Sequence, residues 1–297
     1  MKQKRFTFLL LFVANLFCAS AQKWYTPEID QKVEDLLKQM TVEEKLGYIG
    51  GVNWMYTKSI DRLGIHRMKM SDGPQGLGTD GKSTAYPSTV TLAATWNENL
   101  AYQYGKALGR DCRARNVNVI LGPAVNIYRA PMCGRNFEYM GEDPYLTSRI
   151  CVGYIKGVQD QGVMATVKHF VANNSDYDRN NISNDIDERT LNEIYFPAYK
   201  AAIQEAEVGA VMTSYNLMNG IYTTENPWLL KEVLRNQWGF KGLVMSDWGS
   251  THYCVPAAKG GLDLEMAGGE KMNPKDMAYY LKTGDVTMDM VDEKVRH

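Results

Sequence analysis

Six polar or aromatic residues stand close behind short apolar runs in this sequence: Asp72, Lys168, His169, Tyr215, Asp247 and Trp248. If those runs are strands that converge, the residues form a site, because charges in a dry cleft must be paired or put to use. The set suits a sugar. Carboxylates and cations are strong partners for hydroxyls, and a flat indole covers the apolar face of a pyranose. Asp72, Arg135, Lys168 and His169 would hold hydroxyls while Trp248 packs on the ring. Asp247, rigidly placed and kept ionised by nearby cations, would serve as a nucleophile. Taken singly, each residue has a plainer reading. Asp72-Gly73-Pro74 is also a turn sequence, Arg135 can pair with Glu138 or Glu142, and His169 can be a satisfied core histidine. Tyr215 and Trp248 can be packing residues. Lys168 opens another chemistry, the Schiff base of an aldolase.

The elements that must position these groups are legible as pattern. Apolar runs cover 68–70, 117–121, 163–167, 209–212, 243–245 and 261–264. Between them lie helical faces: Leu100, Tyr104 and Leu108 behind an N-cap at Asn97, and Leu229, Leu230, Val233, Leu234 and Trp238. A third face, Leu191, Ile194, Tyr195 and Ala198, meets Pro197 and should kink there. Thr41 with Glu44 reads as a capping box. Strands apolar throughout and alternating with helices imply an α/β fold whose parallel sheet is covered on both faces. No G-x-G-x-x-G follows a strand, which disfavours an open nucleotide-binding sheet. The expected architecture is a (β/α)8 TIM-like barrel over residues 22–297, incomplete or irregular at its ends, with function at the carboxyl ends of the strands.

Residues 1–21 read as a cleaved signal peptide. Lys2, Lys4 and Arg5 precede an apolar core over 6–17, and Ala19-Ser20-Ala21 forms the cleavage site. A secreted or periplasmic protein is expected. The apolar core is shorter than the roughly 20 residues that span a bilayer, so no membrane insertion is expected. With 33 basic and 34 acidic residues the chain has no charge excess that calls for nucleic acid. Cys112, Cys133, Cys151 and Cys254 are widely spaced without a C-x-x-C pair and read as buried thiols. His66, His169, His252 and His297 have no ligand spacing, so neither metal nor organic cofactor is expected.

At this point the chain resembles family 3 glycoside hydrolases, in their β-glucosidase branch, over nearly all of residues 22–297. Carrying the resemblance are Met70-Ser71-Asp72-Gly73-Pro74, Cys133-Gly134-Arg135-Asn136-Phe137-Glu138, Gly141-Glu142-Asp143-Pro144-Tyr145, Val167-Lys168-His169-Phe170, Ser214-Tyr215-Asn216 and Val244-Met245-Ser246-Asp247-Trp248, among others in the family's order. The resemblance implies that Asp247 is the catalytic nucleophile and that Asp72, Arg135, Lys168, His169 and Tyr215 bind the sugar. Met212 and Trp248 would line the same subsite. The implied reaction is retaining hydrolysis of terminal β-D-glucosyl residues in a β-glucoside or β-linked oligosaccharide, through a glycosyl-aspartate. That mechanism uses two carboxyl groups about 5–5.5 Å apart.

In the β-glucosidase branch the acid/base comes from a second, C-terminal α/β domain. Residues 286–296 resemble the last helix of the barrel domain, so the expectation is a chain lacking that domain and weakly active or inactive alone. The N-acetylglucosaminidase branch instead carries an Asp-His pair on the loop after its Lys-His motif. Here that loop, 173–187, has no histidine. Glu138, Glu142 and Glu265 would have structural or positioning roles. A non-catalytic sugar-binding barrel, another β-glycosidase specificity such as β-xylosidase, and the Lys168 aldolase stay open as alternatives.

Overall fold

In a computed structural model, residues 26–78 and 81–297 are described; the segment 1–21, expected from the sequence to be a signal peptide, lies outside them. Five of the six apolar runs form one parallel sheet. Its strands are β1 (Met70–Asp72), β2 (Val119–Leu121), β3 (Met164–Phe170), β4 (Ala210–Thr213) and β5 (Leu243–Met245), side by side in chain order.

Period-2 alternation divides the side chains between two apolar layers. Ile120, Val167, Val211 and Val244 pack outward into the large cluster shared with the helices. Met70, Val119, Leu121, Ala210, Met212, Leu243 and Met245 pack inward into a second cluster. Burying each such side chain contributes about 1.5–3 kcal/mol, so a one-residue slip in register would be costly.

The sixth run makes no regular strand. Leu264 bridges Met245, Glu265 bridges Gly50, and antiparallel bridges join Val52 to Tyr56 and Tyr56 to Lys69, the residue before β1. The wall between β5 and β1 is therefore made of single bridges, and among the described residues the eight regular strands of an ideal barrel reduce to five. Irregularity at the ends was expected; its extent was not.

Helices cover the outer face. Thr41 and Glu44 form the capping box, and Asn97 caps the helix Glu98–Ala114 by accepting from Leu100 N–H. That helix crosses Pro144–Gln159 closely because both carry glycines at the contact. A Cβ at Gly105 would stand 2.2 Å from the Tyr154 carbonyl oxygen, and one at Gly157 would stand 2.1 Å from that of Tyr102. The expected kink at Pro197 takes a specific form. A wide π-type turn, Leu191–Tyr195, runs into a new helix, Pro197–Gln204, with Pro197 in its first turn where the missing N–H costs nothing. Cys112, Cys133 and Cys151 are buried thiols and Cys254 a half-buried one. Among the described residues no helix is long and apolar enough to cross a membrane.

Candidate active site

Inward alternation, continued to the carboxyl ends of the strands, delivers the site. Two residues beyond inward Met70 comes Asp72, and two beyond Met245 comes Asp247; Leu121, Lys168 and Met212 occupy the same layer. These five line one cleft of about 310 Å³ with Arg135, Tyr215, Trp248, Trp54, Met55 and Arg179. All eight site residues inferred from the sequence are brought together: seven line the cleft, and His169 lies just behind Asp247.

His169 follows Lys168 directly, so simple alternation would turn it toward the helices. The β3–β4 register shifts between Val167 and Phe170, and such an irregularity re-aims side chains. The strand also runs three residues further than the apolar run 163–167 indicates. Asn126 then grips the His169 backbone from both sides, its Oδ1 accepting from N–H at 2.8 Å and its Nδ2 donating to the carbonyl at 3.0 Å. Tyr199 donates its hydroxyl to the same carbonyl at 2.6 Å.

Asp247 is 7% exposed, and its two oxygens differ. Oδ1 accepts from Trp248 N–H at 2.7 Å and from the Tyr215 hydroxyl at 3.0 Å. Oδ2 lies 3.7 Å from Arg135 Nη1 and 3.4 Å from His169 Nε2, and makes no hydrogen bond. Burial pushes this carboxyl above the ordinary aspartate range, against the pull of Arg135 and Lys168. The cations expected to keep Asp247 ionised are present, but desolvation outweighs them. Burial likewise raises the Tyr215 phenol, with the Asp247 charge adding to it, so Tyr215 stays a hydroxyl donor.

Glu138 explains where much of the positive charge goes. It is buried, hydrogen-bonded to Arg135 Nε, and its Oε2 is 3.6 Å from Lys168 Nζ. Burial raises its carboxyl, but Lys168 and Arg135 more than offset this and hold it below the ordinary range. Arg135 thus has both the structural pairing and the place beside Asp247. Glu265 accepts from the backbone N–H groups of Lys271 and Met272, at 2.9 and 2.6 Å, and orders that loop. Glu142 is exposed. Among the described residues no group of three or more His, Cys, Asp or Glu could hold a metal ion.

Sequence reasoning missed Arg179 and Trp54. Arg179 sits in the loop after β3, its guanidinium 3.7 Å from the Tyr215 ring centroid and 3.2 Å from Asp176 Oδ1. The Trp54 carbonyl accepts from Trp248 Nε1–H at 2.8 Å, fixing the indole at the rim of the cleft. Neither residue follows an apolar run, so neither had a periodic signal. A second lobe of about 390 Å³ adjoins the first, sharing Asp72, Arg135 and Lys168 and bounded by Phe137 and the 73–78 loop.

Residues 38–297 match the glycosyl hydrolase family 3 N-terminal domain. A β-glucosidase of Rhizobium radiobacter is 44% identical over 270 residues, covering 89% of this chain and 33% of its own length. An exo-α-(1→6)-L-arabinopyranosidase of Bifidobacterium breve is 38% identical over 269 residues, covering 86% and 35%. The β-glucosidase 3B of Thermotoga neapolitana, solved in complex with α-D-glucose, superimposes with a TM-score of 0.85 at 38% identity, covering 89% of this chain and 41% of that one. The chain thus spans about a third of the length of the curated relatives it matches.

Proposed function

This chain belongs to glycosyl hydrolase family 3, and from that membership we propose that it is the barrel of a retaining β-glycosidase acting on terminal β-D-glucosyl residues through a covalent glycosyl-aspartate on Asp247. The observation that carries the reading is the asymmetry of that carboxyl. Oδ1 is held by two donors, while Oδ2 makes no hydrogen bond beside Arg135 and His169. A nucleophile needs this arrangement: one oxygen anchored, the other with lone pairs free for the anomeric carbon.

In this reading Asp72, Arg135 and Lys168 bind sugar hydroxyls, Met212 supports the ring and Trp248 covers it. Glu138 keeps Arg135 and Lys168 in place without neutralising the whole cleft. The Thermotoga relative's complex with α-D-glucose supports a hexose, and the arabinopyranosidase among the relatives keeps another specificity within the family as the second reading. The mechanism also needs a second carboxyl as acid/base. Besides Asp247, only Asp72 among the described residues lines the cleft with a carboxyl, and it is assigned to the sugar. We therefore assign the acid/base to residues outside those described, in a further domain of the kind the β-glucosidase resemblance implies.

Treatment with a 2-deoxy-2-fluoro-β-glucosyl donor bearing a dinitrophenolate tests this directly, since that leaving group departs without an acid. Peptide mapping is expected to find the label on Asp247. A folded chain that binds glucose yet stays unlabelled would instead be a sugar-binding barrel.

A further inference from the structure

His169 has two oxygens to which it can give a proton. Its Nδ1 makes a 3.4 Å hydrogen-bond contact with Asn126 Oδ1, whereas its Nε2 lies 3.4 Å from Asp247 Oδ2 without hydrogen-bond alignment, so that Nε2 and Oδ2, both buried, are left without a partner. The Asn126 amide has only one workable orientation, because its oxygen accepts from His169 N–H and its nitrogen donates to the His169 carbonyl. The atom beside Nδ1 is therefore an acceptor. The ring is fully buried, and burial, reinforced by Arg135, Lys168 and Arg179, holds the imidazole well below its ordinary range. A neutral imidazole donates from one nitrogen only.

The two acceptors are unequal. A carboxylate accepts more strongly than an amide, and Asn126 Oδ1 already has a backbone donor whereas Asp247 Oδ2 has none. We propose that His169 carries its proton on Nε2 and donates it to Oδ2 of ionised Asp247, making His169 a positioning residue for the nucleophile. The bond fixes the carboxylate rotamer and still leaves Oδ2 a lone pair for the anomeric carbon. At 3.4 Å the pair is long and not yet aligned, as catalytic hydrogen bonds often are before substrate tightens the site. The other charged or titratable groups facing Asp247 are Arg135 and Lys168, each partnered with Glu138, together with Tyr215, Arg179 and Asp72. None of them donates to Oδ2 within hydrogen-bond distance. This inference rests on the nucleophile reading of Asp247.

Nitrogen-15 NMR of the 297-residue chain at neutral pH reads the proton directly, and only four histidines need assignment. Protonated Nε2 with bare Nδ1 is expected; a proton on Nδ1, or on both nitrogens, overturns the proposal. A kinetic arm follows the rate of fluorosugar labelling against pH. In His169→Gln the amide nitrogen reaches the place of Nε2, whereas in His169→Asn it reaches only that of Nδ1. The acid limb is expected to move up by about one to two pH units in His169→Asn, the size of one lost bond to a charged acceptor, and to stay near the parent's in His169→Gln. Coincident profiles for the two variants overturn it. Failure of every form to label Asp247 counts against the nucleophile reading, while the NMR result stands apart from turnover and needs neither variant to fold.

Discussion

Asp247 in the cleft and Glu138 in its adjoining lobe are both buried carboxyls, yet their surroundings act in opposite senses. Glu138 is held below the ordinary range, its burial outweighed by Lys168 and Arg135. Its ionised form is favoured by folding, so it contributes stability above the unfolded carboxyl range that is lost as pH falls through the folded value. Asp247 is raised, chiefly by burial. Between its ordinary and folded values the native state binds a proton that the unfolded chain does not. Stability therefore falls as pH rises through that window, and the deficit persists at neutral pH. Thermal melts should separate the two. Asp247→Asn is expected to abolish labelling and raise Tm at neutral pH, a gain of ~1 kcal/mol appearing as about 2–4 °C. Glu138→Gln is expected to cost on the order of 3 kcal/mol, because it leaves two buried cations short of a partner, and to flatten the acid side of the stability profile. An Asp247→Asn protein that melts below the parent would mean that its contacts outweigh its desolvation.

At the scale of elements, positions depend on packing that admits little change. The helices Glu98–Ala114 and Pro144–Gln159 touch through backbone at Gly105 and Gly157. Gly157→Ala is expected to cost about 1–3 kcal/mol by overpacking, measured by chemical denaturation, with the apparent affinity for glucose little changed because the contact lies outside the sheet. Unchanged stability would show that the helices can separate without penalty. The same scale explains what could be read in advance. Asp72, Lys168 and Asp247 were legible because each is a charged residue standing at the end of a short apolar run, and Met212 was legible only through the family resemblance. The place of His169 needed the irregularity in β3, for which a sequence holds no pattern. Arg179 and Trp54 reach the cleft from loops, and the wall from 49–56 to 264–265 is built from isolated bridges. Single bridges impose no repeat on side chains, so the 49–56 side of that wall left no trace in hydrophobic spacing and its other side showed only as the apolar run 261–264.

For the molecule as a whole, the proposed function gives the cleft a nucleophile and sugar-binding groups but assigns no described residue to protonate the leaving oxygen. General acid catalysis typically contributes 10²–10⁴-fold, and its value grows as the leaving group becomes more basic. Across a series of substituted aryl and alkyl β-glucosides, log kcat/KM of the 297-residue chain is expected to fall steeply with leaving-group pKa. Dinitrophenyl glucoside should react while alkyl glucosides lie about 10²–10⁴-fold below the rates that an assisted departure would give. A shallow dependence would place the proton donor among the described residues. Asp72 is then the first candidate, as the other carboxyl lining the cleft, because Glu138 is held ionised between Arg135 and Lys168. In that case Asp72→Asn must restore the steep slope while leaving the fluorosugar label on Asp247. A loss of label in the same variant would show instead that Asp72 binds the sugar, as proposed, and that the donor lies elsewhere.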